Sequence, residues 1–185
     1  MMLPASSESN QSPTPQNSHP LWFAIRVRTR LATAVAAALQ QKGYEVFLPL
    51  YQARKQWSDR VKVRFLPLFP GYLFCRFSPA SRLLPILTTP GVIQIVSVDR
   101  KPCPVGDNEI QAIQSIIGSG LAALPWPFLQ KGVRVRIDKG PLCGLSGIVL
   151  NASKGFRLVV SVPLLQRSVA VEMERDWIFP INQAA

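Results

Sequence analysis

The sequence predicts an α+β unit followed by a small all-β barrel, and three observations carry that prediction. Between residues 20 and 117 the hydrophobic period alternates between about two and about 3.6, so strands and helices belong to one unit. Residues 118–127, GSGLAALPWP, interrupt the pattern with glycine and serine and then a Pro-Trp-Pro run, which reads as a stiffened linker. From 128 to 185 short β-branched runs recur between Gly140, Gly144, Gly147 and Gly155, the rhythm of a small closed barrel.

Each element follows from local chemistry. Residues 1–19 are rich in Ser, Asn, Gln and Pro and hold too little apolar surface to offset ordering entropy, so a disordered tail is expected. Leu21, Phe23, Ile25 and Val27 alternate with Trp22, Ala24, Arg26 and Arg28, the period of a half-buried strand. If that extension continues, Arg26, Arg28 and Arg30 share one face. Leu31–Lys42 is an alanine-rich helix with Leu31, Val35 and Leu39 at i+4 spacing and Gly43 as its stop. Residues 44–52 and 61–66 read as strands joined by a polar turn around Ser58, Asp59 and Arg60. This hairpin is basic, with Arg54, Lys55, Arg60, Lys62 and Arg64 and with Trp57 near its tip.

The run Pro67–Phe74 is a turn launching a strand through Phe77, and Pro90-Gly91 marks a turn before an apolar strand, Val92–Val98. Asp107 and Glu109 open a helix whose buried face is Ile110, Ile113, Ile116 and Ile117, and Gly118 ends it. The order β-α-β-β-β-β-α implies an antiparallel sheet with helices gathered on one face. In the barrel, Val133, Val135 and Ile137 alternate with Arg134 and Arg136. Strands then follow at Ile148–Leu150, Leu158–Val162, Val169–Val171 and Trp177–Phe179.

Composition narrows the function. The 185 residues carry 21 Lys+Arg against 10 Asp+Glu, a net charge of +11. Both folded parts are basic: 13 basic against 5 acidic residues between Pro20 and Ile117, and 8 against 4 from Pro125 onward. Such an excess points to a polyanionic partner. Three cysteines with no C-x-x-C spacing make neither a disulfide framework nor a zinc site, and the single histidine, His19, sits in the tail. The acids Glu45, Asp59, Asp99, Asp107 and Glu109 are scattered, with no acid–base or metal pair among them. The expectation is a cytoplasmic, monomeric binding protein without catalysis, metal or cofactor. No signal peptide is read in the first twenty residues, and Leu31–Leu39 is far short of the roughly 20 residues a membrane span needs.

Two motifs go further. Pro67-Leu68-Phe69-Pro70-Gly71-Tyr72-Leu73-Phe74, reached from the Trp22-Phe23 strand through the alanine-rich helix, resembles the N-terminal (NGN) domain of NusG-type transcription elongation factors. With EVFLPLYQ and RKQWSDR ahead of it, the match looks most like the specialised antiterminator paralogues of RfaH and UpxY type. Gly132-Val133-Arg134-Val135-Arg136-Ile137-Asp138-Lys139-Gly140-Pro141, followed by Gly144 and Gly147, is similar to the KOW motif of an SH3-like barrel. The resemblance spans about residues 20–181. It assigns 20–117 to an NGN-like domain and 128–185 to a KOW domain.

The resemblance implies a factor that rides on RNA polymerase, suppresses pausing and reads through terminators. In the family an apolar patch docks on the clamp helices of the largest polymerase subunit, and the matching positions here are Phe69, Tyr72, Phe74 and Ile95. Physically, aromatics on a sheet face left open by helices would suit an amphipathic partner helix. Bubble and upstream DNA would be met by Arg28, with Arg26 and Arg30 beside it. The KOW residues are Gly132, Val135, Ile137, Gly140, Pro141, Gly144 and Gly147, and the barrel would recruit a ribosomal small-subunit protein or Rho. A departure lies at Ser81-Arg82-Leu83-Leu84-Pro85, which lacks the His/Thr cluster that reaches the second large polymerase subunit in some relatives. Arg82 and Thr88 are the nearest substitutes. Valine-rich residues 156–171, interrupted by Pro163, predict strands rather than the helical hairpin some relatives form. A translation-associated RNA-binding protein is the competing reading, carried by the KOW motif and the charge.

Overall fold

The computed structural model describes residues 19–57, 60–127, 132–152, 155–174 and 177–180. The expected tail, apart from His19, and the Ser58-Asp59 tip of the hairpin lie outside these. The first sheet is built on β1 (Leu21–Val27), which pairs antiparallel with β5 (Tyr72–Phe77) on one side. On the other side β6 (Val92–Ile95) covers the later half of β1 and β9 (Pro104–Val105) its beginning. A short strand, β2 (Glu45–Phe47), lies outside β5.

β1 is apolar on both sides, not half-buried. Phe23, Ile25 and Val27 join Leu73, Cys75, Phe77 and Ile95 beneath α1 (Ala32–Gln41). Trp22 and Ala24 join Phe74, Val105 and the isoleucines Ile110, Ile113 and Ile116 of α4 (Asp107–Gly118). The expectation that helices gather on one face is therefore corrected: α1 and α4 cover opposite faces. The cause is the strength of α4's apolar stripe, since each fully buried isoleucine contributes about 1.5–3 kcal/mol. Gly106, one residue earlier than expected, caps that helix, and its N–H donates to the Glu109 carboxylate at 2.9 Å.

Several boundaries move for identifiable reasons. Pro49 interrupts the run 44–52, leaving β2 and then β3 (Leu50–Trp57), which pairs with β4 (Arg60–Pro67) as a separate two-stranded ribbon. The run 92–98 breaks after Ile95, and β7 (Ser97–Val98) turns through Asp99 and Arg100, both at positive φ, into β8 (Lys101–Pro102). Two one-turn helices, α2 (Pro79–Arg82) and α3 (Leu84–Leu87), carry no amphipathic period and escaped the sequence reading. α1 ends in a left-handed Gly43, with Tyr44 N–H bonded to Leu39 O and Gly43 N–H to Gln40 O. Arg82 then closes that end, donating to the carbonyls of Lys42 at 2.9 Å and Gly43 at 3.4 Å while lying 4.3 Å over the Tyr44 ring.

The second sheet runs β10-β14-β13-β12-β11-β15: β10 (Ala123–Pro127), β11 (Val133–Ile137), β12 (Ser146–Ala152), β13 (Gly155–Val162), β14 (Arg167–Met173) and β15 (Ile178–Pro180). β10 comes from the stretch read as linker, and its two prolines are tolerated because it is an edge strand. The valine-rich segment is in β13 and β14, as strands. Val135, Ile137, Leu158, Val162, Val169 and Val171 are fully buried inside the barrel. Val159 and Ala170, register partners on the alternate side of the same two strands, are buried as well. One apolar cluster runs from the α4 side of the first sheet into the barrel. Among the described residues no helix is long and apolar enough to cross a membrane.

Candidate functional site

The end of β1 is held by twin turns. Phe69-Pro70-Gly71-Tyr72 and Thr89-Pro90-Gly91-Val92 each close with an i to i+3 hydrogen bond of 3.0 Å. Each places proline second and a glycine at positive φ third, the pattern of a type II turn. Their glycine carbonyls accept the N–H groups of Val27 at 2.8 Å and Arg28 at 2.9 Å from opposite sides. Gly91 has no substitute: its φ is +95°, and a Cβ would lie 2.8 Å from Val35 Cγ2.

This grip presents the arginines. Arg26 lies within β1; Arg28 is extended just beyond it; Arg30 sits in a single 3₁₀ turn, Thr29–Leu31. The strand alternation stops at Val27, so the three share the end of the strand rather than one face of it. All three are exposed, and none is ion-paired with a described residue. Arg26 stands directly opposite Tyr72 on β5 and Gln94 on β6, making a Gln94–Arg26–Tyr72 row across three strands. Gln94, exposed, is a candidate that sequence reasoning missed, since only the strand register brings it beside Arg26.

The aromatic residues divide differently from expectation. Phe74 is wholly buried, stacked on Phe47 at 6.1 Å and edge-on to Phe69 at 5.6 Å. Phe69 is equally buried, so both are core residues under α4's cluster. The face they occupy is not the open one that was expected, because α4 packs there. Tyr72 remains half-exposed at its edge. Ile95 does not join them: it pairs with Ile25 and points to the α1 face, buried. The residue of that segment packed with the Phe74 cluster is Val96, one position along, where strand parity reverses the side.

In the barrel, Val135 and Ile137 fill the interior, and Gly132, Gly140, Pro141, Gly144 and Gly147 lie at its turns and close strand approaches. Gly147 is required by contact: a Cβ there would lie 2.8 Å from Leu158 Cδ1 and from the Val159 carbonyl. Leu68 and Pro70, from the first twin turn's approach, share a cleft with Trp126 and Arg167 of the barrel. Arg82 and Thr88 are engaged locally, Arg82 at the end of α1 and Thr88 Oγ1 on the Leu84 carbonyl at 3.1 Å. Burial pushes the Cys75 thiol up to about 12, against a smaller lowering by the Arg82 charge. Among the described residues no three His, Cys, Asp or Glu side chains gather where they could hold a metal.

Comparison with known proteins agrees with this architecture. The family described as "Transcription termination factor nusG" matches residues 20–114. The transcription termination/antitermination protein NusG of Pseudomonas aeruginosa is 25% identical over 153 residues, covering 80% of this chain and 86% of that protein. Its namesake in Escherichia coli K12 is 23% identical over 167 residues, covering 83% and 92%. A solved structure titled "Domain interaction in Thermotoga maritima NusG" superposes with a TM-score of 0.57 at 17% identity, covering 88% of this chain and 98% of that one, which shows the shared fold. With the family's match extending across the first sheet, through α1 and into α4, the chain belongs to the NusG family of transcription termination and antitermination factors.

Proposed function

We propose that this protein is an elongation and antitermination factor that binds RNA polymerase at the clamp helices of the largest subunit, touches bubble DNA, and recruits a second machine through its barrel. The observation that carries the reading is the exposed corner where Tyr72 and Arg26 stand side by side with Arg28 and Arg30 at the strand end. An aromatic with a hydroxyl suits a wet protein interface. Unpaired guanidinium groups suit phosphates and unstacked bases. Phe69 and Phe74 support this corner from within, and Ile95 packs on the opposite, α1 face. The barrel's partner, a ribosomal small-subunit protein or Rho, would be held by its outer strands, and the protein would act in the cytoplasm as a monomer.

The test is capture of core RNA polymerase by the full chain and by Tyr72→Ala, with circular dichroism confirming that both are folded. Capture by wild type and loss in Tyr72→Ala is the expected result. Capture of ribosomal subunits with no polymerase would overturn it in favour of the translation-associated reading.

A further inference from the structure

β6 pairs unevenly with β1. Val27 stands opposite Val92 and Arg26 opposite Gln94, which leaves Ile93 as an extra residue without a partner on β1. A bulge of this kind interrupts the ladder and re-aims the side chains around it. Continued evenly from Val27 and Val92, the register would set Ile93 opposite Arg26. The shift sets Gln94 there instead, so an amide replaces a hydrocarbon beside the guanidinium. Ile93 is left 51% exposed.

Gln94 is exposed, and its side chain has no hydrogen bond to a described residue. Its Cβ and that of Arg26, as a directly opposed pair, lie about 4.5–5.5 Å apart. Tyr72 flanks Arg26 from β5, so two strand spacings, about 10 Å, separate it from Gln94. The amide and the aromatic proposed to meet polymerase therefore stand on opposite sides of Arg26.

Chemistry divides the work of the pair. A guanidinium carries a full charge and donors only, which suits a phosphate. A glutamine amide carries a donor and an acceptor side by side. Against a phosphate its oxygen would face only other acceptors, whereas a base edge uses both groups. The bidentate match is adenine, whose N6 amino group donates to the amide oxygen while N7 accepts from the amide nitrogen. We propose that Gln94 reads an adenine in single-stranded DNA whose backbone Arg26 holds. The inference rests on the nucleic-acid part of the function proposed above and adds the base that the site selects.

The experiment uses the full chain and fluorescein-labelled single-stranded thymidine oligomers, plain or with one central adenine, cytosine or guanine. Anisotropy is read for wild type, Gln94→Leu and Gln94→Arg, with circular dichroism confirming that each is folded. Wild type should favour the adenine oligomer at least about fivefold over the other three, the low end for one bidentate amide–base pair. Gln94→Leu should bind all four alike, at the wild-type affinity for the plain oligomer. Gln94→Arg should move the preference to guanine, whose O6 and N7 match a guanidinium. Equal binding of all four by wild type, or an adenine preference kept in Gln94→Leu, would overturn the assignment to Gln94 and leave the arginine contacts standing. So would an equal weakening of all four in Gln94→Leu, the mark of a contact blind to sequence. Failure of wild type to bind any oligomer would remove the nucleic-acid reading itself, and this inference with it. Tyr72 is unchanged in both variants, so polymerase capture reports separately.

Discussion

Phe74 and Tyr72 lie two residues apart on the same side of β5, yet one is sealed in the core and the other reaches the surface. Phe47 stacks on Phe74 and Phe69 stands edge-on to it, whereas Tyr72 is only partly buried against the same cluster. The two positions therefore separate stability from binding. Phe74→Ala should cost about 3–5 kcal/mol, the range for a buried aromatic cut to alanine. Tyr72→Ala should shift the urea midpoint far less. Equal losses of stability in the two variants would show that Tyr72 is packed as tightly as its neighbour.

The arginine corner predicts a salt signature. If Arg26, Arg28 and Arg30 each neutralise a phosphate, the slope of log affinity against log salt on a single-stranded oligonucleotide should fall by about 0.7 for each arginine replaced by alanine. The measurement is anisotropy across a salt series. A triple variant with the wild-type slope would remove these residues from any nucleic-acid contact.

Gly91→Ala should be costly. The left-handed conformation alone disfavours alanine by about 1–2 kcal/mol, and the added methyl meets Val35 at 2.8 Å. Gly118→Ala is the control, because nothing lies within 4 Å of its site and its backbone is helical. Helix propensity makes that change neutral or stabilising by up to about 1 kcal/mol. Thermal unfolding of both variants decides; destabilisation by Gly118→Ala alone would contradict the geometry.

Cys75 predicts an alkaline weakness. Burial holds its thiol protonated up to about 12, whereas in the unfolded chain it ionises near its ordinary 9.0. The folded state thus keeps a proton that the unfolded state releases. The contribution is whole below pH 9 and shrinks as pH rises toward 12, by about 1.4 kcal/mol per pH unit. Urea midpoints at pH 8, 9 and 10 should fall more steeply for wild type than for Cys75→Ala. Parallel lines would mean that the thiol is not sealed.

Much of this was legible in residues. Gly43, Pro70-Gly71, Pro90-Gly91 and the α4 isoleucines are local signals whose physics does not depend on distant partners, and each element appears where its signal lies. Sidedness was less legible. The sequence of β1 does not reveal that Trp22 and Ala24 meet a helix arriving some ninety residues later. Ile95 and Val96 illustrate the sharper limit, since a break after one residue decides which face each meets. Gln94 beside Arg26 depends on the register between β1 and β6, and no local pattern announces it.

The strand taken from the expected linker has a mechanical consequence. With α4 ending at Gly118 and β10 beginning at Ala123, only Ser119, Gly120, Leu121 and Ala122 join them. The five steps from Gly118 to Ala123 reach at most about 18 Å when fully drawn out. The first residue of the second sheet is thereby kept within that distance of the end of α4, so the joint is a coupling rod rather than a leash.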